Sequence, residues 1–280
     1  MQSPLPNKVG IGLITCDRPE FFKKSYKSLE YNYDVSFVVV DDGVETPVRD
    51  LIDFTEDGNT HYIKTKGKEG VAVAKNKALQ YLIDCRCEHI FLVEDDIEII
   101  DKKVFNLYIN ASKSTGIKHF NFGLHGNHNT DGRGNPVHRK IINYPDGTKV
   151  ILYPNVLGAL SYYHIDTLNA VGLMDEQFYN ALEHVDHTYQ IIKAGYHPHF
   201  RWFADVEGAS ELVKDVVPDH QQSKIRSEED FMNNFFKNHD RFVEKNKFGV
   251  VYGRGPVETN YTEEQVLKNL KEIWKRHAEK

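Results

Sequence analysis

Glu94, Asp95 and Asp96 are three carboxylates in a row, directly after the apolar run Ile90-Phe91-Leu92-Val93. Four such apolar residues read as a strand buried on both faces, as in a mostly parallel α/β sheet. Three acids cannot carry that strand further into a core, because buried charge without a partner costs too much. They belong at the strand's exit, in a crevice, with something positive between them. On extended chain Glu94 and Asp96 point one way and Asp95 the other. Oxygen ligands of this kind suit a hard divalent ion that keeps waters and takes further ligands from a phosphate. An acidic surface turn is the plainer reading, and this stretch alone does not separate the two.

Two other chemically loaded stretches follow apolar runs: Thr15-Cys16-Asp17-Arg18 and Asp41-Asp42-Gly43. The elements that would position all three alternate between strand and helix over the first hundred residues, the pattern of a βαβ sheet. Val9–Thr15 reads as the first strand. Asp17-Arg18-Pro19-Glu20 reads as a helix start, with proline near the first turn and Asp17 placed to cap. Residues 35–40 form a second strand and 61–64 a weaker third. From Gly70, the positions Val71, Ala74, Ala78, Leu79 and Leu82 describe one helical face. A further helix opens at Asp101. In a parallel sheet, ligands collect at the carboxyl ends of the strands. Three loaded ends in one sheet outweigh the local turn preferences of Asp and Gly.

From 118 to 163 the signals become short β runs, with Tyr144-Pro145-Asp146-Gly147 as a hairpin turn. The polar, glycine-rich stretch 127–136 reads as a mobile loop that orders over a ligand. A helix over 183–194 closes at Gly195. His197 and His199 read as strand residues. Beyond 220 two amphipathic helices follow, with Ser227 and Thr262 as caps and Gln265 completing a capping box. The last carries Leu267, Leu270, Ile273 and Trp274 as its apolar stripe.

The 280 residues are 40% hydrophobic and 27% charged, with formal net charge −6. This composition is that of a soluble globular protein and gives no general argument for nucleic-acid or membrane binding. No apolar run reaches bilayer length, so no transmembrane anchor is expected, and the N-terminus lacks a secretory layout. Three cysteines, with Cys85 and Cys87 too close for a typical bridge, point to reduced thiols and a cytoplasmic location.

Taken in order, Gly12-Leu13-Ile14-Thr15-Cys16-Asp17-Arg18-Pro19, Val39-Val40-Asp41-Asp42-Gly43, residues 70–78 and Phe91-Leu92-Val93-Glu94-Asp95-Asp96 resemble the nucleotide-sugar half of GT-A glycosyltransferases, family 2 in particular. The resemblance continues through Gly158-Ala159-Leu160-Ser161, residues 171–178 and Glu183-His184-Val185-Asp186, and covers roughly 9–220. It implies a GT-A α/β fold with a mixed, mainly parallel sheet flanked by helices. The expected domain is 1–220, with 1–117 for the nucleotide sugar and 118–220 for the acceptor, followed by a helical C-terminal extension over 221–280.

The resemblance further implies a hexosyl- or pentosyltransferase that moves a sugar from a nucleoside-diphosphate donor, UDP-linked in the first instance. The acceptor would be a hydroxyl on a glycan, a lipid-linked sugar or another macromolecule. It assigns Thr15, Arg18, Asp41, Asp42, Lys75, Glu94 and Asp95 to the donor. Glu94-Asp95-Asp96 matches the DXD motif, with Asp96 as ligand of Mn2+ or Mg2+ and His220 as a late second ligand. The chain departs from the family at the catalytic base, where Glu183-His184 replaces the usual Glu-Asp. Glu183, Asp186 and His184 are the candidates, and periodicity alone reads the helix face shared by Glu183, Asp186 and His187 as solvated. The departure keeps a nucleotide-sugar-binding protein with little turnover as a rival. A transferase acting on modified nucleic acid is a second alternative, the less favoured one. His125-x-x-His128 and His184-x-x-His187 supply too few ligands for a closed zinc site.

Overall fold

The computed structural model describes residues 8–29, 35–53, 60–216, 229–251, 256 and 260–279. The strands are β1 (Val9–Thr15), β2 (Val35–Asp41), β3 (Thr60–Lys64), β4 (His89–Glu94), β5 (Ile97–Ile99), β6 (His119–Asn121), β7 (Lys140–Asn143), β8 (Lys149–Tyr153), β9 (Leu160–His164), β10 (Phe203–Val206) and β11 (Val213–Asp215). The helices are α1 (Pro19–Leu29), α2 (Val71–Asp84), α3 (Lys103–Thr115), α4 (Ile165–Val171), α5 (Glu183–Lys193), α6 (Ala209–Leu212), α7 (Phe231–Asn246) and α8 (Glu263–Ala278).

Six strands form the central sheet in the order β3-β2-β1-β4-β9-β6. The first four are mutually parallel, while β9 runs antiparallel to both β4 and β6. Alternation along the strands sends side chains to two layers. Val9, Ile11, Leu13, Phe91 and Val93 pack with α1, α3 and α8, whereas Ile90, Leu92, Val38 and Val40 pack with α2, α4 and α5. On that second face β1 carries Gly10 and Gly12. A Cβ at Gly12 would come within 2.8 Å of Ala78 Cβ, and one at Gly10 within 2.7 Å of Leu82 Cδ2. The two glycines let α2 lie against the sheet, which fixes where its first turn meets the crevice.

The parallel register puts the loaded strand ends side by side. Thr15 pairs with Asp41 and Ile14 with Glu94. The strand order reverses direction between β1 and β4, the switch point at which open α/β sheets bind ligands. Two smaller sheets, β10-β8-β7 and β11-β5, accompany the central sheet. In the second, Asp215 pairs with Ile97, and the Val216 N–H donates to the Asp96 carbonyl at 2.7 Å.

Several local expectations change. Asp17 braces a second loop: its Oδ1 accepts the N–H groups of Val44, Glu45 and Thr46 at 2.7–3.0 Å and so shapes the loop after β2. His197 and His199 lie in irregular chain rather than on a strand, with His197 buried and His199 stacked on Tyr261 at 3.7 Å. On α8 the buried stripe is Val266, Leu270 and Ile273, while Trp274 is exposed. The Thr262–Gln265 capping box and the hairpin joining β7 to β8 form as expected. Ser227 lies outside the described residues. The α8 stripe belongs to the same hydrophobic core as β1 and α3.

Candidate active site

A cavity of about 390 Å³ opens at the carboxyl ends of β1 and β4. Arg18, Glu94, Asp96, His125, Glu183 and His184 all line it. The sequence-expected residues divide here into those that face the cavity and those that build its frame.

Thr15, Asp41, Asp42 and Asp95 belong to the frame, all buried. Asp41 accepts from the Gly43 and Val48 N–H groups and from the Tyr62 hydroxyl. Asp42 accepts from the Glu69 and Gly70 N–H groups, each at 2.9 Å, and from the Thr65 hydroxyl. Both carboxylates are thus satisfied by donors from the loop after β2 and from β3 and the segment that follows it, and they do not line the cavity. Asp95 receives the Thr15 hydroxyl at 2.6 Å and the Arg18 guanidinium through Nε and Nη2. A forked guanidinium on a buried carboxylate is a geometrically fixed pair. Burial opposes charge on Arg18, yet Asp95, Asp96 and Glu94 outweigh it and hold its pKa above the ordinary value.

Asp96 is different. Its Oδ2 meets Arg18 Nη1 at 3.5 Å, but its buried Oδ1 has no hydrogen-bond partner among the described residues. Buried carboxylate oxygens ordinarily find partners, so this orphan is an acceptor prepared for something else. Among the described residues no three histidine, cysteine, aspartate or glutamate side chains gather closely enough to hold a metal alone, which leaves a zinc site on His125 and His128 unbuilt. One unpartnered carboxylate oxygen on a cavity-lining residue fits an ion that takes most of its ligands from water and phosphate. His220 lies outside the described residues.

His125 is a residue that periodicity and motif did not single out for this site. Its Nδ1 donates to Asp215 Oδ1 at 2.7 Å, and its Nε2 lies 4.0 Å from Asp96 Oδ2. Asp215 also accepts the Gly126 N–H at 2.8 Å, so it holds both the ring and the loop. Burial works against the charged ring, but the Asp215 hydrogen bond and the charges of Asp96 and Asp215 push it up to about 9.

Lys75 sits behind the cavity wall, 1% exposed. Its Nζ lies 2.6 Å from Glu94 Oε1, 3.2 Å from Glu183 Oε1 and 3.2 Å from the Gly158 carbonyl. Burial disfavours the ammonium, but Glu94 and Glu183 more than compensate and raise its pKa. Glu183 opens α5 immediately after Leu182, which holds the left-handed φ of 66°. Such a conformation is costly for leucine and is found where a side chain must be aimed. Burial pushes the Glu183 carboxyl up, but Lys75 and His184 dominate and hold it below the usual carboxylate range. Being ionised, Glu183 accepts from His184 Nδ1 at 3.0 Å.

The α5 face read as solvated is in fact buried: Glu183, Asp186 and His187 are all inside. Asp186 turns from the cavity to α7, where it accepts from Lys245 Nζ at 2.7 Å, Asn246 at 2.9 Å and Gln190 at 3.1 Å. Periodicity missed this because α7 covers a face that the helix alone would leave to water.

The sheet order and switch-point crevice define the GT-A class of fold. Among solved structures, the chain is similar to GalNAc-T7, solved with UDP, GalNAc and Mn2+, with TM-score 0.57, 13% identity, and 85% of this chain and 48% of that one covered. It is also similar to TarS of S. aureus, with TM-score 0.53, 14% identity, and 96% of this chain and 43% of that one covered. The chain therefore spans less than half the length of either. No family model matches it, and no curated protein matches it in sequence. No helix among the described residues is long and apolar enough to cross a membrane.

Proposed function

We propose that this chain is a metal-dependent glycosyltransferase that moves a sugar from a nucleoside diphosphate, UDP in the first instance, to an acceptor hydroxyl. The observation that carries the reading is Asp96 Oδ1, the orphaned carboxylate oxygen at the switch-point crevice. The GT-A likeness supports it, as does the UDP and Mn2+ found with GalNAc-T7.

In this reading Asp96 holds Mn2+ or Mg2+. His220, which lies outside the described residues, supplies a second ligand in this reading. Bound there, such an ion would supply Lewis-acid stabilisation of the charge that grows on a leaving diphosphate. Arg18, locked by Asp95, presents a fixed cation to the donor phosphates. Asp41 and Asp42 act through the loops they brace, and Lys75 acts through Glu94 and Glu183 rather than by touching the donor.

His184 takes the acceptor proton. Glu183 binds the Nδ1–H and leaves Nε2 as the accepting atom, the logic of a base oriented by a buried carboxylate. Glu183 itself is a weak base, being neutralised by Lys75. The exposed Cys85 and buried Cys87 are both thiols, which supports a reducing, cytoplasmic setting.

The test is release of free nucleotide from a panel of UDP- and GDP-sugars with Mn2+, with and without acceptor, beside Mn2+ binding by calorimetry. Wild-type protein releases nucleotide and Asp96→Ala neither binds Mn2+ nor turns over. Unchanged Mn2+ binding and turnover in Asp96→Ala would overturn the assignment. Mn2+ and donor binding with no nucleotide released would favour a binding protein that retains the fold.

A further inference from the structure

Asp215 ends β11 opposite Ile97, the first residue of β5, and the next amide, Val216 N–H, holds the Asp96 carbonyl at 2.7 Å. Backbone pairing therefore fixes these two carboxylates relative to each other. His125 spans the space between them. Its Nδ1 donates to Asp215 Oδ1 at 2.7 Å, which leaves Nε2 as the ring atom turned toward Asp96. The segment that carries the ring is pinned on both sides. Gly123 N–H donates to the buried Asp205 and Gly126 N–H to Asp215, each at 2.8 Å. Asn129 Nδ2 donates to the carbonyls of Gly123 and Asn155, each at 2.9 Å.

Among the described residues no hydrogen bond reaches His125 Nε2. Its distance of 4.0 Å from Asp96 Oδ2 is too long for one. It is close to the span of two metal–ligand bonds of about 2.1 Å each, opened somewhat short of a straight line. The other oxygen of the same carboxylate, Asp96 Oδ1, is the one without a partner. A carboxylate behind an imidazole, with the far nitrogen aimed into a cavity, is how histidine ligands are held on metal ions. The ring is protonated in the metal-free chain, so binding sends the Nε2 proton to solvent, as ligation by any histidine requires.

We infer that His125 Nε2 is a direct ligand of the divalent ion, oriented by Asp215, and that this nitrogen favours Mn2+ over Mg2+. Mg2+ keeps to oxygen ligands and gives up water reluctantly, whereas a softer first-row ion gains from imidazole. The inference rests on the metal-dependent reading above and adds to Asp96 a ligand from the loop after β6.

Electron-spin-echo spectroscopy of Mn2+ on the full chain, with and without UDP, reads whether a nitrogen nucleus is bonded to the ion. The wild-type complex should show that coupling. Because His220 is a rival source of nitrogen, His220→Gln is the reference: it should keep a nitrogen coupling that His125→Gln/His220→Gln loses. His128→Gln, on the same loop and lining the same cavity, should also keep it. By calorimetry His125→Gln should weaken Mn2+ binding by about 10- to 100-fold and Mg2+ binding by less, and Asp215→Asn should weaken Mn2+ binding by about tenfold. No nitrogen coupling in the wild-type complex overturns the inference without recourse to any variant. Coupling that persists in the double variant, or that disappears in His128→Gln, overturns it as well while leaving a bound ion in place. A wild-type chain that binds no Mn2+ would instead overturn the metal-dependent reading, and this ligand with it.

Discussion

Glu183 Oε1 is held 3.2 Å from Lys75 Nζ inside the protein, and the same ammonium reaches Glu94 at 2.6 Å. One buried cation thus ties a carboxylate at the end of β4 to the first residue of α5, across the crevice. Removing it leaves two carboxylates facing each other without compensation. Lys75→Met should destabilise the chain by about 3–5 kcal/mol, the usual cost of breaking a buried ion pair from one side. Adding Glu183→Gln should recover a substantial part, because one of the stranded charges is then gone. Urea unfolding of the two variants checks this, and a Lys75→Met chain as stable as wild type would show that the ion pair does not hold the crevice together.

The pair of Glu183 and His184 sets the next expectation. His184 lines the cavity while Glu183 Oε1 lies 3.0 Å from its Nδ1. His184→Ala should lower transfer to an acceptor by about 10²–10⁴-fold, the range of a positioned general base. Mn2+ binding should be retained, since His184 contacts neither Asp96 nor Arg18 in the bonds described. Asp186→Asn should act on stability instead, through Lys245 and Asn246. A variant series in which Asp186→Asn abolishes transfer while His184→Ala does not would reverse the assignment.

Much of this arrangement is legible in the chain's own pattern. The apolar runs ending at Thr15, Asp41 and Glu94 locate three parallel strands, and their loaded ends do lie in register. Motif order located Arg18, Lys75, Asp96 and Glu183. It did not distinguish an acid that faces the cavity from one that braces a loop, because Asp41 and Asp96 look alike until backbone N–H groups fill one and leave the other. Nor could it find Asp215. That residue reaches the site only because β11 pairs with β5, a contact between segments more than a hundred residues apart. The buried face of α5 was hidden for the same reason, since α7 covers it.

His125 provides a pH signature. Its folded value of about 9 lies above the ordinary 6.5, so the protonated ring is favoured by folding. The stability it contributes is therefore complete below about pH 6.5 and is lost as the pH rises through about 9. In metal-free protein with chelator, unfolding free energy should decline across that window. Asp215→Asn removes the main hydrogen-bond partner and should flatten the slope, with the His125 ring titrating at lower pH by NMR. A wild-type His125 that titrates near its ordinary value would contradict the role given to Asp215.

Gly158 gives the sharpest test of the crevice's geometry. A Cβ there would come within 2.9 Å of His184 Cγ and 3.0 Å of Lys75 Nζ. Lys75 cannot yield, being fixed by two carboxylates and the Gly158 carbonyl. His184 can, because one side of its ring faces the cavity. Gly158→Ala should therefore turn the imidazole away from Glu183 and cut transfer sharply, while overpacking lowers stability by only about 1–3 kcal/mol. Mn2+ binding should persist, because Asp96 is untouched. Transfer rates, thermal unfolding and calorimetry on this one variant separate a displaced base from a collapsed site. Unimpaired transfer would mean that the imidazole's present position is not the one that matters for the chemistry.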